Sequence, residues 1–183
     1  MRKLAPISLL FVLAACGDSY TAPPLYLATS PDCGTPIDAD TFPLPRGITV
    51  AATNPTPTPD GGLDIGVNYM LPRTTQLKFA TAHFQVTQPK GALIENAGVV
   101  SVYQRPTNQR AEIVEIVNGV PLMLIAVATS DDTQFRYRLH IKGKMPKRFD
   151  LTPPEVVIGG KRYVSRTYTY RWFEDKQSFS MCR

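Results

Sequence analysis

The sequence has little with which to do chemistry. Its 183 residues include only two histidines, His83 and His140, far apart and with no cysteine, aspartate or glutamate around them at metal-ligand spacing. A zinc site needs several converging ligands, so no metal and no cofactor is expected. There is no G-x-S-x-G turn, no Gly-rich phosphate loop and no P-loop lysine, which removes the serine hydrolases and nucleotide enzymes that carry those motifs. Asp131-Asp132-Thr133 lacks the spaced oxygen ligands of a calcium loop and reads as a plain turn in preference to a cation site. A hydrolytic carboxylate pair, for instance Glu112 with Asp150, would have to be assembled by the fold from distant residues. Long apolar runs are missing too. A membrane-spanning helix needs about 20 consecutive apolar residues, whereas the run from Leu4 to Ala15 is interrupted by Pro6 and Ser8 and stops at Gly17-Asp18-Ser19. An enzyme is therefore not the expectation.

What is present begins at the amino terminus. Met1-Arg2-Lys3 is a short positive stretch, the apolar run follows, and Leu13-Ala14-Ala15-Cys16 closes it with small residues. That is the layout of a secretory signal, and Leu13 to Cys16 resembles the lipobox of bacterial lipoproteins. The resemblance covers only the leader. It implies cleavage between Ala15 and Cys16, diacylglycerol on the Cys16 thiol, and an acyl chain such as palmitate on the new amino terminus. One acyl chain binds a bilayer only marginally and each buried methylene adds about 0.8 kcal/mol, so a multiply acylated Cys16 would anchor the chain stably. In enteric bacteria an aspartate directly after the lipidated cysteine resembles an inner-membrane retention signal. Here Gly17 holds that place and Asp18 comes one residue later, so the expectation is the outer membrane, facing the periplasm, with surface display as the other outcome. A domain in that compartment meets no nucleic acid.

Residues 1–15 are then a signal peptide, and the remaining 168 residues suffice for one ordinary domain. Residues 16–45, rich in Pro, Ala, Thr and Asp, read as a lipidated tether and irregular entry segment, and 46–183 as the domain proper. With Cys16 lipidated, Cys33 and Cys182 remain, near the two ends of the mature chain and without a C-x-x-C. In an oxidising compartment they are expected to pair, and a bridge over so long a loop stabilises by about 5 kcal/mol in the chain-entropy model. Charge is uneven. Residues 16–70 carry one basic residue, Arg46, against six acidic ones, while 71–183 carry 17 basic against nine acidic. Either the basic part meets an anionic partner, or the acidic part neutralises it within one fold.

The mature chain reads almost wholly as strands. Leu63, Ile65, Val67 and Tyr69 alternate with Asp64, Gly66, Asn68 and Met70, the period of a half-buried strand. Leu77 to Val86 and Val99 to Tyr103 are rich in β-branched and aromatic residues. Asn118-Gly119 suits a tight hairpin turn between Ile113–Val117 and Val120–Thr129, and Leu122 to Val127, apolar on both faces, predicts a central strand. Gly159-Gly160 looks like a second hairpin turn, Gln177 to Cys182 like a last short strand, and Asn54 to Pro59 like an exposed proline loop ending at Asp60-Gly61-Gly62. No helical period competes. The fold class is all-β: an antiparallel β-sandwich of about seven to nine strands, of which an immunoglobulin-like topology is one form.

Two stretches stand out as candidate binding surfaces. In Phe135 to Lys142, strand alternation sends Phe135, Tyr137, Leu139 and Ile141 to the core and Arg136, Arg138, His140 and Lys142 outward. Lys144, Lys147 and Arg148 continue the charge. This is either a cationic ridge, since arginine forks grip carboxylates and phosphates at two points, or a solvated face guarding an edge. In the second stretch Tyr168, Tyr170 and Trp172 share one face with Arg166. Exposed, they would form a protein hot spot or stack on sugars; buried, they are core. The functional expectation is a non-catalytic, protein-binding lipoprotein, an envelope assembly accessory or an immunity or inhibitor protein. Its partner would be held by Arg136, Arg138 and Lys142, then by Tyr168, Tyr170 and Trp172. The alternative is a domain that binds or hydrolyses cell-wall glycan or lipid.

Overall fold

The computed structural model describes residues 25–29, 41–81, 83–89, 91–106, 109–112 and 123–174. Cys16, Cys33 and Cys182, the Asn118-Gly119 turn and the segment Gln177 to Cys182 lie outside the described residues. The described chain is strand after strand, with one 3₁₀ turn at Pro45–Gly47. The first strands are β1 (Leu25–Thr29), β2 (Thr41–Pro43), β3 (Thr49–Ala52), β4 (Thr56–Pro57) and β5 (Leu63–Pro72). Next come β6 (Gln76–Phe79), β7 (Phe84–Thr87), β8 (Leu93–Arg105), β9 (Gln109–Glu112) and β10 (Met123–Ile125). The last are β11 (Asp132–Ile141), β12 (Arg148–Thr152), β13 (Val156–Ile158), β14 (Lys161–Tyr163) and β15 (Tyr168–Phe173).

All pairings are antiparallel. One large sheet runs β1-β15-β12-β7-β8-β11-β5-β3-β2, with β4 on β5 and β9 on β8, and a small sheet runs β10-β6-β13-β14. The large sheet curls into a half-barrel and the small one covers its concave side. Phe79 of β6 shows how the two layers lock. Its ring meets those of Tyr69, Phe84 and Tyr137 from the large sheet edge-on, at centroid distances of 5.3, 6.4 and 5.8 Å. Each such contact contributes roughly 0.5–1.5 kcal/mol beyond the area it buries.

This is the all-β, antiparallel, sandwich-like fold that the alternation predicts. β5 is its clearest expression, with every second residue from Leu63 to Leu71 buried. The particulars differ from the expectation in four respects. The described residues contain fifteen strands, more than seven to nine, because runs that read as one strand are cut by changes of layer. Leu77 to Val86 is such a run: β6 belongs to the small sheet and β7 to the large one. The large sheet follows one continuous path, unlike the two separate sheets of an immunoglobulin domain. Leu25–Thr29 and Thr41–Pro43, expected to be irregular, are strands of the large sheet, the first paired with β15 and the second with β3. Finally, Met123–Ile125 is not central among the described strands. It borders the small sheet against β6, with only Leu124 buried and Met123 and Ile125 more than half exposed. Gly159 and Gly160 do turn a hairpin between β13 and β14, with φ of 59° and 80°, angles that a Cβ resists.

The curl brings together strands that are distant in sheet order. β15 and β3 lie at opposite ends of the path, yet the Tyr168 hydroxyl donates to the Val50 carbonyl at 3.1 Å and the Tyr170 hydroxyl to the Thr53 carbonyl at 2.9 Å. Both rings are buried. Tyr170 also packs against Phe149, 5.2 Å between centroids.

Candidate binding groove

The convex face of the large sheet carries the predicted ridge. β11 runs between β5 and β8, and its register places Arg136 beside Asn68 and Tyr103, Arg138 beside Gly66 and Ser101, and His140 beside Asp64 and Gly98. The alternation holds: Phe135, Tyr137, Leu139 and Ile141 are buried, while Arg136 and Arg138 are exposed. The neighbours opposite Arg138 are small. Gly66 and Ser101 sink the surface there, and Thr53, Thr56 and Tyr103 stand around it, leaving a groove of about 470 Å³ along which Arg136 and Arg138 lie. The Thr53 hydroxyl accepts from the Gly66 amide at 2.8 Å, and the Thr53 amide donates to the Gly66 carbonyl at 2.8 Å. A Cβ on residue 66 would press on Thr53, at 3.0 Å from its hydroxyl oxygen. Glycine at 66 thus lets the groove wall close down beside the guanidinium of Arg136.

Charge along the ridge is not uniform. Asp64 of β5 stands 3.7 Å from the Arg138 Nε. The His140 ring bridges two carboxylates, Nδ1 at 2.9 Å from Asp64 and Nε2 at 3.0 Å from Asp60. The pKa of Asp60 is itself held below the ordinary carboxylate value, first by the Thr58 hydroxyl and the Gly62 amide and further by His140. The acidic amino-terminal part of the chain therefore neutralises one end of the ridge. Arg136 differs: it is exposed and has no ion-pair partner among the described residues. Lys142 is exposed one residue beyond β11 and does not line the groove.

The aromatic stripe divides. Tyr168 and Tyr170, expected to meet a partner, are 3% and 0% exposed, and their hydroxyls are committed to β3 and the chain just after it. They are core residues, because β15 turns that face into the half-barrel. Burial pushes the Tyr168 phenol up to about 12, against a smaller opposing pull from Arg166, and lifts Tyr170 as well, with Tyr168 adding to it. Trp172, two residues on, is only partly buried and lines a different pocket with Tyr26 and Leu63.

The other polar candidates are structural. Asp131 pairs with Arg73 at 2.6 Å, and Asp150 accepts from the Thr169 hydroxyl at 2.8 Å. His83 is exposed between β6 and β7. The Glu112 side chain lies outside the described residues. Among the described residues no group of three or more His, Cys, Asp or Glu is placed to hold a metal ion. Sequence reasoning missed the Asp60–His140–Asp64 bridge, since its members stand 76 and 80 residues apart. The only local sign was that Asp60 precedes Gly61-Gly62, a turn composition.

That turn makes one sharp prediction. Gly62 packs so tightly on β11 that an added Cβ would collide with the Ile141 carbonyl oxygen and stand 2.9 Å from His140 Cε1. Gly62→Ala is expected to lower stability by about 2 kcal/mol or more, read from the urea midpoint. An unchanged midpoint would mean that the turn moves off β11 at no cost.

Comparison with protein-family models, with curated proteins and with solved structures finds no match to this chain. The functional reading rests on its own residues.

Proposed function

We propose that this chain is a lipid-anchored envelope protein whose β-domain binds another protein without catalysis. In this reading the chain is cut before Cys16 and held by lipid on that cysteine to the outer membrane, facing the periplasm. Cys33 and Cys182 clasp the two ends of the mature chain. The domain presents the Arg136–Arg138 groove to an acidic segment of an envelope partner, as an assembly accessory or as an immunity or inhibitor protein.

One observation carries the binding site: Arg136 is exposed and, among the described residues, without an ion pair, in a groove whose other charged end is already neutralised. A planar guanidinium held over a glycine floor is ready to take a carboxylate in two-point fashion. Tyr103 beside it adds the aromatic surface that enriches protein hot spots. Lys142 contributes to the field that steers an acidic partner rather than to the contact.

The test is capture of the partner from gently solubilised membranes by the tagged full chain, compared with Cys16→Ala and with Arg136→Glu/Arg138→Glu. One stoichiometric envelope protein is expected with the parent chain. It should fall with the unanchored form, and by about tenfold or more with the double reversal, as loss of a central arginine contact implies. Equal capture by a double-reversal variant that still folds, by circular dichroism and urea midpoint, would remove the groove from the reading.

A further inference from the structure

A second pocket, lined by Thr58, Gly61 and Gly62 of the turn, has a different character. It encloses about 370 Å³, and its apolar wall is made by Tyr26, Leu63, Met145 and Trp172. Lys144 and Lys147 stand at its mouth, both exposed. We propose that this pocket binds a single-chain anionic lipid. Its hydrocarbon chain would lie on Trp172 and Met145, and its carboxylate between the two lysine ammonium groups.

The pocket is built rather than incidental. The Tyr26 hydroxyl donates to the Met145 carbonyl at 2.9 Å and reaches the Pro146 carbonyl at 3.2 Å. The Trp172 amide donates to the Lys147 carbonyl at 2.8 Å. Two strands, β1 and β15, thus pin the lysine-bearing segment from Lys144 to Lys147 over the cavity. Tyr26 holds the Trp172 ring edge-on at 4.9 Å and is itself fixed by Phe149 at 5.4 Å. The far wall is the turn whose Gly62 admits no side chain. A preformed pocket loses little ordering entropy when it binds.

Its chemistry selects the occupant. An apolar wall excludes a fully hydrophilic anion such as a sugar acid, and two ammonium groups at the rim exclude a cationic amphiphile. The volume lies near the lower end of the roughly 300–1,000 Å³ typical of ligand pockets, which suits one chain rather than the two of a phospholipid. Lys144 has no ion-pair partner among the described residues. Lys147 now pairs with Glu174 at 3.0 Å, but both side chains are mostly exposed. An exposed pair of that kind is worth about 1 kcal/mol or less and yields readily to a desolvated carboxylate.

Trp172 is the single tryptophan of the chain, so its fluorescence reports this pocket alone. The experiment titrates dodecanoate, below its micelle concentration, into the full chain carrying Cys16→Ser, which has no lipid of its own and needs no detergent. A saturable change in Trp172 emission is expected, with quenching when the chain end is brominated. Dodecanol and the Lys144→Ala/Lys147→Ala variant should each bind about tenfold more weakly, as loss of charge-assisted bonds implies. Absence of saturation, equal binding of dodecyltrimethylammonium, or undiminished binding by the double-alanine variant would each overturn the proposal. So would a response to phosphatidylglycerol vesicles without one to dodecanoate, which would make the site a bilayer contact.

Discussion

Replacing Tyr170 by alanine is expected to lower the unfolding free energy by about 4 kcal/mol, and phenylalanine at the same place by about 1 kcal/mol. The first figure is what truncation of a large buried aromatic costs when the surroundings cannot collapse into the void. Tyr170 is fully buried and packs on Phe149, in the stretch where the two ends of the curled sheet meet. The second figure isolates the hydroxyl, whose net contribution is that of one hydrogen bond to the Thr53 carbonyl, plus some cost for leaving that carbonyl unpaired. A domain of this size holds roughly 5–15 kcal/mol in total, so the alanine variant loses a large fraction of it. Urea denaturation of both variants provides the measurement. If Tyr170 instead met a partner, the alanine variant would keep its midpoint and lose capture. Burial rules for the opposite pattern: a lost midpoint, with capture failing only as the fold does.

The second large effect comes with alkali. Tyr69, Tyr137, Tyr168 and Tyr170 all have phenols raised above the ordinary value of 10.0, burial being the first cause in each. A group whose folded form holds its proton more tightly than the unfolded chain adds stability that is complete below the unfolded value and is lost as pH rises toward the folded one. The window therefore opens near pH 10, and Tyr168, raised to about 12, alone withdraws about 2 kcal/mol by the top of it. The other three, shifted further or buried more deeply, add to the loss. The expected result is cooperative unfolding above pH 10, in which phenolate absorbance and loss of β-sheet circular dichroism change together. Smooth ionisation of all eight tyrosines near the ordinary value, with the circular dichroism intact, would contradict the buried assignment.

How much of this was legible in the sequence depends on how local the cause is. The alternation in Leu63 to Tyr69 and in Phe135 to Ile141 is a property of neighbouring residues, and it placed both strands and the outward arginines correctly. The same rule failed for Leu122 to Val127, because apolar residues on both faces are equally compatible with a central strand and with a border strand whose outer side chains stay exposed. It left Tyr168 and Tyr170 open between partner surface and core. Periodicity puts them on one face with Trp172, but only the curl of the large sheet determines that this face turns inward for two residues and opens into a pocket at the third. The partners of His140 were invisible for a plainer reason: Asp60 and Asp64 sit on a turn and a strand far back in the chain. The lipid pocket needs Tyr26, from a segment that composition marks only as proline-rich and irregular.

The tyrosine stitches across the half-barrel also dictate the order in which the chain can become native. Their partners are separated by 118 and 117 residues, and the Tyr26–Met145 bond spans 119. Contacts of such high sequence separation are made late, after the loop-closure entropy has been overcome, and they slow folding. β1 is the extreme case. It is the first described strand in the chain, and its one paired neighbour among the described residues, β15, is the last described strand. A chain delivered amino end first must hold β1 apart from β15 until β15 arrives, so the curl of the large sheet is completed late, and that interval leaves β1 open to pairing with another chain.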